Sequence, residues 1–239
     1  VAHMTGLTTT IARKSGYHIN LMGLCSAAVI LFWAIIALIA PMITPYPVGE
    51  IVDWDYFGPS SSAFWLGSDY LGRDVFSRIL MGARFTVGIS LVAVTLACFI
   101  GVTLGMIAAV IGGVFDQVLS RFLDAFNSIP SKLFGLVVVA AVGSSIPVLI
   151  LTLTAIYAPG SYRFARALAV NINTMDFVTV ARARGEGAIY LIWEEILPNI
   201  LGPVLADFGL RFVFIVLLLS GLSFLGLGVL PPNADWGAL

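Results

Sequence analysis

The run Ala83-Arg-Phe-Thr-Val-Gly-Ile-Ser-Leu-Val-Ala-Val-Thr-Leu-Ala-Cys-Phe-Ile-Gly-Val-Thr-Leu-Gly-Met-Ile-Ala-Ala-Val-Ile111 carries no charge beyond Arg84. It is longer than the roughly 18 apolar residues that a membrane-crossing helix needs. Within it Ala97, Gly101, Gly105 and Ala109 recur every four residues. Such a stripe of small side chains lets another helix approach closely. Packing within the chain is its first reading, and a face toward a second subunit is the alternative.

The rest of the composition agrees with that run. Of 239 residues, 59% are hydrophobic and 10% charged, with a mean hydropathy of +1.02. A soluble domain carries about 25% charged residues, so this chain cannot cover itself for water. A net charge of −1, thinly spread, gives no basic patch for nucleic acid. Cys25 and Cys98 lie inside apolar runs without C-x-x-C spacing. They read as small buried hydrophobes, neither a disulfide nor a zinc pair.

Apolar stretches predict an all-α integral membrane protein with five spans. A tail at 1–19 holds Arg13 and Lys14 and precedes a first span over 20–43, ended by Pro41, Pro45 and Pro47. A wet segment over 44–82 contains Glu50, Asp53, Asp55, Asp69 and Asp74 against Arg73 and Arg78. A core over 83–229 holds the other four spans: Ala83 to Ile111, Leu119 to Val142, Ile146 to Tyr162 and Ile200 to Val229. Gly112-Gly113 and residues 143–145 connect them, and a polar loop lies over 171–199. Arg163, Arg166, Arg182 and Arg184 gather after the fourth span. The excess of Lys and Arg on the cytoplasmic side therefore sets the N-terminus and that loop inside, and 44–82 and 230–239 outside. The last residues, Ala234-Asp-Trp-Gly-Ala-Leu239, carry no stop signal, and a sixth span is expected beyond them.

Chemistry-bearing patterns are missing. Lys14 and Lys132 stand outside any G-x-x-x-x-G-K-[ST] loop, so no phosphate cradle of that kind is present. There is no H-E-x-x-H and no G-x-S-x-G; His3 and His18 sit in the tail. Glu194 and Glu195 are neighbours on a helix, about 100° apart, and do not form an acid–base pair.

The polar loop is the informative part. Val180-Ala-Arg-Ala-Arg-Gly-Glu-Gly187 is followed by Leu197-Pro198, a pattern that resembles the cytoplasmic coupling loop of ATP-binding-cassette import permeases. Three further segments are similar to the dipeptide, oligopeptide and nickel branch of that family. They are Trp65-Leu-Gly-Ser-Asp-Tyr-Leu-Gly-Arg-Asp-Val-Phe-Ser-Arg78, Gly112-Gly-x-x-Asp116 with Arg121, Asp124 and Pro130, and Leu222-Ser-Phe-Leu-Gly-Leu-Gly-Val-x-Pro-Pro232 with Trp236-Gly237. Together they cover about residues 65 to 239, and the chain resembles the second of the two permease subunits. Where the family's loop opens Glu-Ala-Ala, this chain has Thr179, Val180 and Ala181, and Glu194 and Glu195 replace basic residues.

The resemblance implies a type I importer membrane domain with no catalytic residue of its own. Its partners would be a second permease subunit in a heterodimer, two cytoplasmic ATP-binding subunits that hold ATP and Mg, a periplasmic solute-binding protein, and membrane lipid. No cofactor or metal would belong to this chain. The cargo would be di- or oligopeptides; nickel chelates, opines and glutathione-like solutes are the alternative. A channel or secondary transporter without an ATPase would share the hydropathy but not the loop. Coupling would rest on Thr179, Ala181, Arg182, Ala183, Gly185, Gly187, Leu197 and Pro198. Read physically, Ala181, Ala183 and Gly185 keep a short helix thin enough for a partner's cleft. Gly185 and Gly187 permit a turn at positive φ, and Pro198 suits a helix start. Gly67, Asp69, Gly72, Arg73, Asp74, Ser77 and Arg78 carry the branch's signature. Asp207 and Arg211, four apart in the last span, share a face and can pair. They read equally as a structural pair near the inner boundary or as lining of the pathway.

Overall fold

A computed structural model describes residues 21–52 and 57–239. The tail over 1–19 and Asp53 and Asp55 of the wet segment lie outside the described residues. The elements are α1 (Leu21–Ile43), α2 (Val75–Ile111), α3 (Gly113–Asn127), α4 (Ser131–Val142), α5 (Ile146–Asn173), α6 (Asp176–Ala183), α7 (Ala188–Tyr190), a π-helical turn over Leu191–Ile196, and α8 (Leu197–Phe224). Among the described residues, extended structure amounts to one isolated bridge between Ser68 and Asp74.

Hydropathy predicts five spans, and the helices divide the same apolar stretches differently. Among the described residues three helical runs are long and apolar enough to cross a membrane: Leu24–Ile43, Val75–Ile111 and Ala188–Phe224. The third expected span is a broken one: α3 and α4 meet at 79° and count as a span only when taken together. Pro130 lies at the break, and the residue before a proline is driven out of the helical region. The expected fourth span is part of α5, which continues to Asn173 but is not apolar enough to qualify; Pro159, Gly160, Ser161 and Arg163 dilute it.

Boundaries move for local reasons. α2 starts at Val75, because Asp74 caps it: Asp74 Oδ2 accepts from the Ser77 N–H at 2.8 Å, an N-cap bond. Gly112 alone separates α2 from α3, and it and Gly113, the first residue of α3, take φ of 65° and 59°. The last helix ends at Phe224, so the expected stretch to Val229 is not helical throughout.

α2 and α5 run side by side in the same direction. Thr154 Oγ1, in the first third of α5, donates to Ala93 O at the middle of α2 at 3.4 Å, and Asn173 Nδ2 donates to Ala109 O at 2.9 Å near the ends of both. Two neighbouring helices of one direction require the chain between them to return, and α3 with α4 makes that return. The seam is the small-residue stripe. A Cβ on Gly101 would lie 2.6 Å from Ala158 O, and one on Gly105 would lie 2.8 Å from Arg166 N. The stripe is therefore used inside this chain. Along it Ile89, Val94, Leu149, Leu153, Ile215 and Leu219 form one apolar cluster, and Val102, Met106, Ala165, Ile196 and Ile200 a second. Large apolar side chains also face outward: Leu38 is 79% and Met42 87% exposed, as expected where the solvent is lipid. Cys25 is exposed on α1, contrary to its reading as a buried residue, and Cys98 is buried.

Candidate functional site

The polar loop folds into a short helix, a tight reversal and a wide helical turn. α6 ends in a hydrogen-bond pattern that needs a left-handed residue after the cap. The Gly185 N–H donates to Arg182 O at 2.9 Å and the Glu186 N–H donates to Ala181 O at 3.2 Å. This is a Schellman motif, and Gly185 takes φ of 89° to make it. Gly187 does not share that role: its φ is −82°, which any residue adopts, and the expectation of two left-handed glycines is corrected to one.

The inner face of α6 is Val178 and Ala181, both fully buried against Leu191. Ala181 thus cannot face a partner's cleft; Ala183 and Gly185 remain exposed. An eight-residue helix laid on a bundle must bury one stripe, and here the stripe runs through Ala181. The outer face is Thr179, Val180, Arg182 and Ala183, with Phe177 42% and Val180 57% exposed. The exposure of Phe177 and Val180 as apolar side chains is what the sequence pattern does not reveal. Thr179 Oγ1 bonds back to Met175 O at 3.3 Å.

Two side chains tie the helix to the bundle. Arg182 Nη2 donates to Asn173 Oδ1 at 2.6 Å, and Asn173 Nδ2 donates to Ala109 O. Leu197 and Pro198 do not start a fresh helix. α7, the π turn and α8 follow one another without interruption, so Pro198 sits inside a longer helical run. A proline there removes one N–H and crowds the carbonyl four residues back. The widened turn over Leu191–Ile196 lies where that crowding falls, and Asn199 Nδ2 donates to Glu195 O at 2.6 Å.

The segment Trp65–Arg78 is a folded knot at the start of α2. Asp69 Oδ1 accepts from the N–H groups of Leu71 and Arg73 at 2.8 and 3.0 Å, and its Oδ2 accepts from Arg73 Nε at 2.8 Å and from Arg78. Burial raises the Asp69 pKa, but the Arg73 backbone and guanidinium bonds and the Leu71 N–H outweigh it. The carboxyl is held below its ordinary range. Gly67 and Gly72 take φ of 77° and 72° in its turns. Asp74 caps α2, and Ser77 Oγ accepts from the Tyr46 N–H at 3.2 Å, so the chain after α1 is pinned to the same knot.

Residues 101–239 match the family described as binding-protein-dependent transport system inner membrane component. The chain belongs to this family. Its relatives include the dipeptide transport system permease protein DppC of Haemophilus influenzae, 32% identical over 216 residues, 88% of this chain and 73% of the relative. The glutathione transport system permease protein GsiD of Pectobacterium atrosepticum is 34% identical over 206 residues, 85% of this chain and 68% of the relative. A DppC of Alkalihalophilus pseudofirmus is 31% identical over 220 residues, 92% and 72% of the two chains. The protein is therefore a multi-pass inner-membrane permease subunit of an ABC importer, with the all-α membrane domain that the helices display.

Within the permease, charged residues sit in pairs. Arg211 Nε donates to Asp207 Oδ2 at 2.5 Å, both side chains mostly buried. Arg211 stands at the middle of α8. Arg166 of α5 grips Asp116 of α3, its Nη2 donating to Oδ2 at 2.5 Å, and Ser120 Oγ lies 2.7 Å from the Tyr162 hydroxyl beside them. Arg163 and Asp124 make a looser, exposed pair at 3.7 Å. Arg121 is exposed. Among the described residues no group of His, Cys, Asp or Glu is arranged to hold a metal ion.

Proposed function

We propose that this permease subunit imports di- or oligopeptides and that α6 is the lever through which ATP hydrolysis, carried out in two separate cytoplasmic subunits, moves it. The observation that carries this reading is the two-sided build of α6. Its back is anchored through Val178, Ala181 and Arg182 to α2, α5 and the π turn, while Phe177, Val180, Ala183 and Arg184 stand free of the bundle. An apolar and basic face on a helix so fixed is what a docking partner needs, since it adds contact area without costing order on binding. ATP and Mg would be held by that partner. A second permease subunit would complete the pathway, and a periplasmic solute-binding protein would deliver the cargo. Peptide cargo follows the dipeptide permeases among the relatives; the glutathione permease favours a γ-linked peptide as the second reading.

Uptake of radiolabelled Ala-Ala into vesicles holding all subunits tests the cargo. Pull-down of the ATPase tests the docking face: Phe177→Asp/Val180→Asp is expected to release it, while the membrane subunits stay paired. Full recovery of the ATPase with the double variant would remove α6 as the seat. This reading has the N-terminus and α6 in the cytoplasm, so a cysteine at Ser61 should label from the periplasm and one at Arg184 only after the inner face is opened.

A further inference from the structure

The break between α3 and α4 opens a cleft of about 270 Å³ against the middles of α5 and α8. Asn127, Ser131 and Phe134 form its wall at the break, and Tyr157, Gly160 and Arg211 form the opposite wall. Arg211 lies against Gly160: a Cβ on residue 160 would stand 2.6 Å from its Nη1, so the glycine leaves the guanidinium its place. Of its donors, Nε serves Asp207 and Nη1 lies 3.5 Å from Tyr157 O, while Nη2 bonds no described residue. Ionisable side chains in a spanning helix are costly and occur where they face the protein interior or a wet cavity. Non-helical backbone at membrane depth survives under the same condition. Both features converge here, on one cavity, from different elements.

We propose that this cleft is a carboxylate-binding station on the transport path, in which Arg211 receives the C-terminal carboxylate of the cargo. Asp207 holds the guanidinium by its Nε and leaves the far edge of the fork for the ligand, as bidentate or single hydrogen bonds to a carboxylate require. Phe126, Phe134 and Tyr157 add aromatic surface for side chains of varied shape, beside the polar Asn127 and Ser131. The site is selective for the charge common to peptides and indifferent to their sequence. This rests on the peptide reading for its cargo, but the chemistry is that of any carboxylate.

The test uses the assembled importer in proteoliposomes, with the solute-binding protein saturated by Ala-Ala or by Ala-Ala amide. The wild type is expected to take up the acid about tenfold faster than the amide, the effect of one charge-assisted hydrogen bond. Asp207→Asn/Arg211→Gln, which removes both charges so that neither is left buried and unpaired, should take up both at the slower rate. An acid-to-amide ratio unchanged in the double variant overturns the site and leaves peptide import standing. A second readout needs no transport: in a background without Cys25 and Cys98, a cysteine at Ser131 should be shielded from a thiol reagent by Ala-Ala and not by its amide. The double variant should abolish the shielding. Shielding that persists there, or is absent with the two charges in place, overturns the proposal. Shielding without uptake of either peptide overturns peptide import and supports the site.

Discussion

Asn173 is held at both ends of its amide, accepting from Arg182 and donating to Ala109 O. One side chain therefore links α6, the end of α5 and the end of α2. Neither an aspartate nor a leucine could do both, because the first lacks the donor and the second lacks both groups. Asn173→Ala is expected to leave the subunits assembled and ATP hydrolysis measurable, while uptake per ATP falls several-fold. Simultaneous measurement of uptake and phosphate release checks this; an unchanged ratio would show that the link does not transmit motion.

Gly185→Val should act by backbone strain alone, because nothing stands within 4 Å of the position its Cβ would take. A β-branched residue at φ of 89° costs on the order of 1–3 kcal/mol, enough to undo the end of so short a helix. Vesicle uptake and ATPase recovery should both fall, with membrane insertion retained. Gly185→Asn, which tolerates the left-handed region, should keep most of both. Equal loss in the two variants would point to a contact at Gly185 in place of strain.

The α2–α5 seam has no room. Gly101→Val is expected to part the helices and to lower the thermal midpoint in detergent by an amount equivalent to about 1–3 kcal/mol or more. Gly88→Ala, on the same helix with nothing within 4 Å of its Cβ, should be neutral or stabilising by up to about 1 kcal/mol. Similar melts for both variants would mean that the seam yields.

Asp69 gives the knot at the start of α2 an acid limit. Its pKa is lowered by folding, so its contribution to stability is fully present above its unfolded value, about 3.9. That contribution is lost as the pH falls through the lower folded value. Asp69→Asn leaves Arg73 and Arg78 without their shared carboxylate and should cost about 3–5 kcal/mol at pH 7. Thermal melts from pH 7 to pH 3 should show the two proteins converging below about pH 4. A gap that stays constant across that range would argue against the carboxylate as the cause.

Much of this fold is legible in apolar run length, since lipid imposes composition directly on each span. The stripe Ala97, Gly101, Gly105, Ala109 is equally legible, because helical period and close approach follow from the residues alone. The break at Pro130 is not, for an average over Leu119 to Val142 stays apolar across a change of direction. Nor is the start of α2, where Asp74 looks like part of a polar loop until its side chain is seen to cap the helix at Ser77. In the segment around α6 the positive φ of Gly185 could be read, but the burial of Ala181 could not. Which stripe of so short a helix turns inward depends on Leu191, a residue of the following π turn that shares no helical period with α6.

The length of α2 has a consequence for where water begins. At 37 residues it measures about 55 Å, against a hydrocarbon layer of about 30 Å. Tilts of spanning helices reach about 40°, and even a helix so tilted overshoots the layer. At least one end must extend beyond the hydrocarbon layer. The end that carries Ser77, Arg78 and the buried Asp69 ion cluster is the polar one, so α2 works as a mast. On the orientation proposed above, it holds the knot of residues 65–78 beyond the hydrocarbon layer on the outer side, where a soluble carrier would meet it.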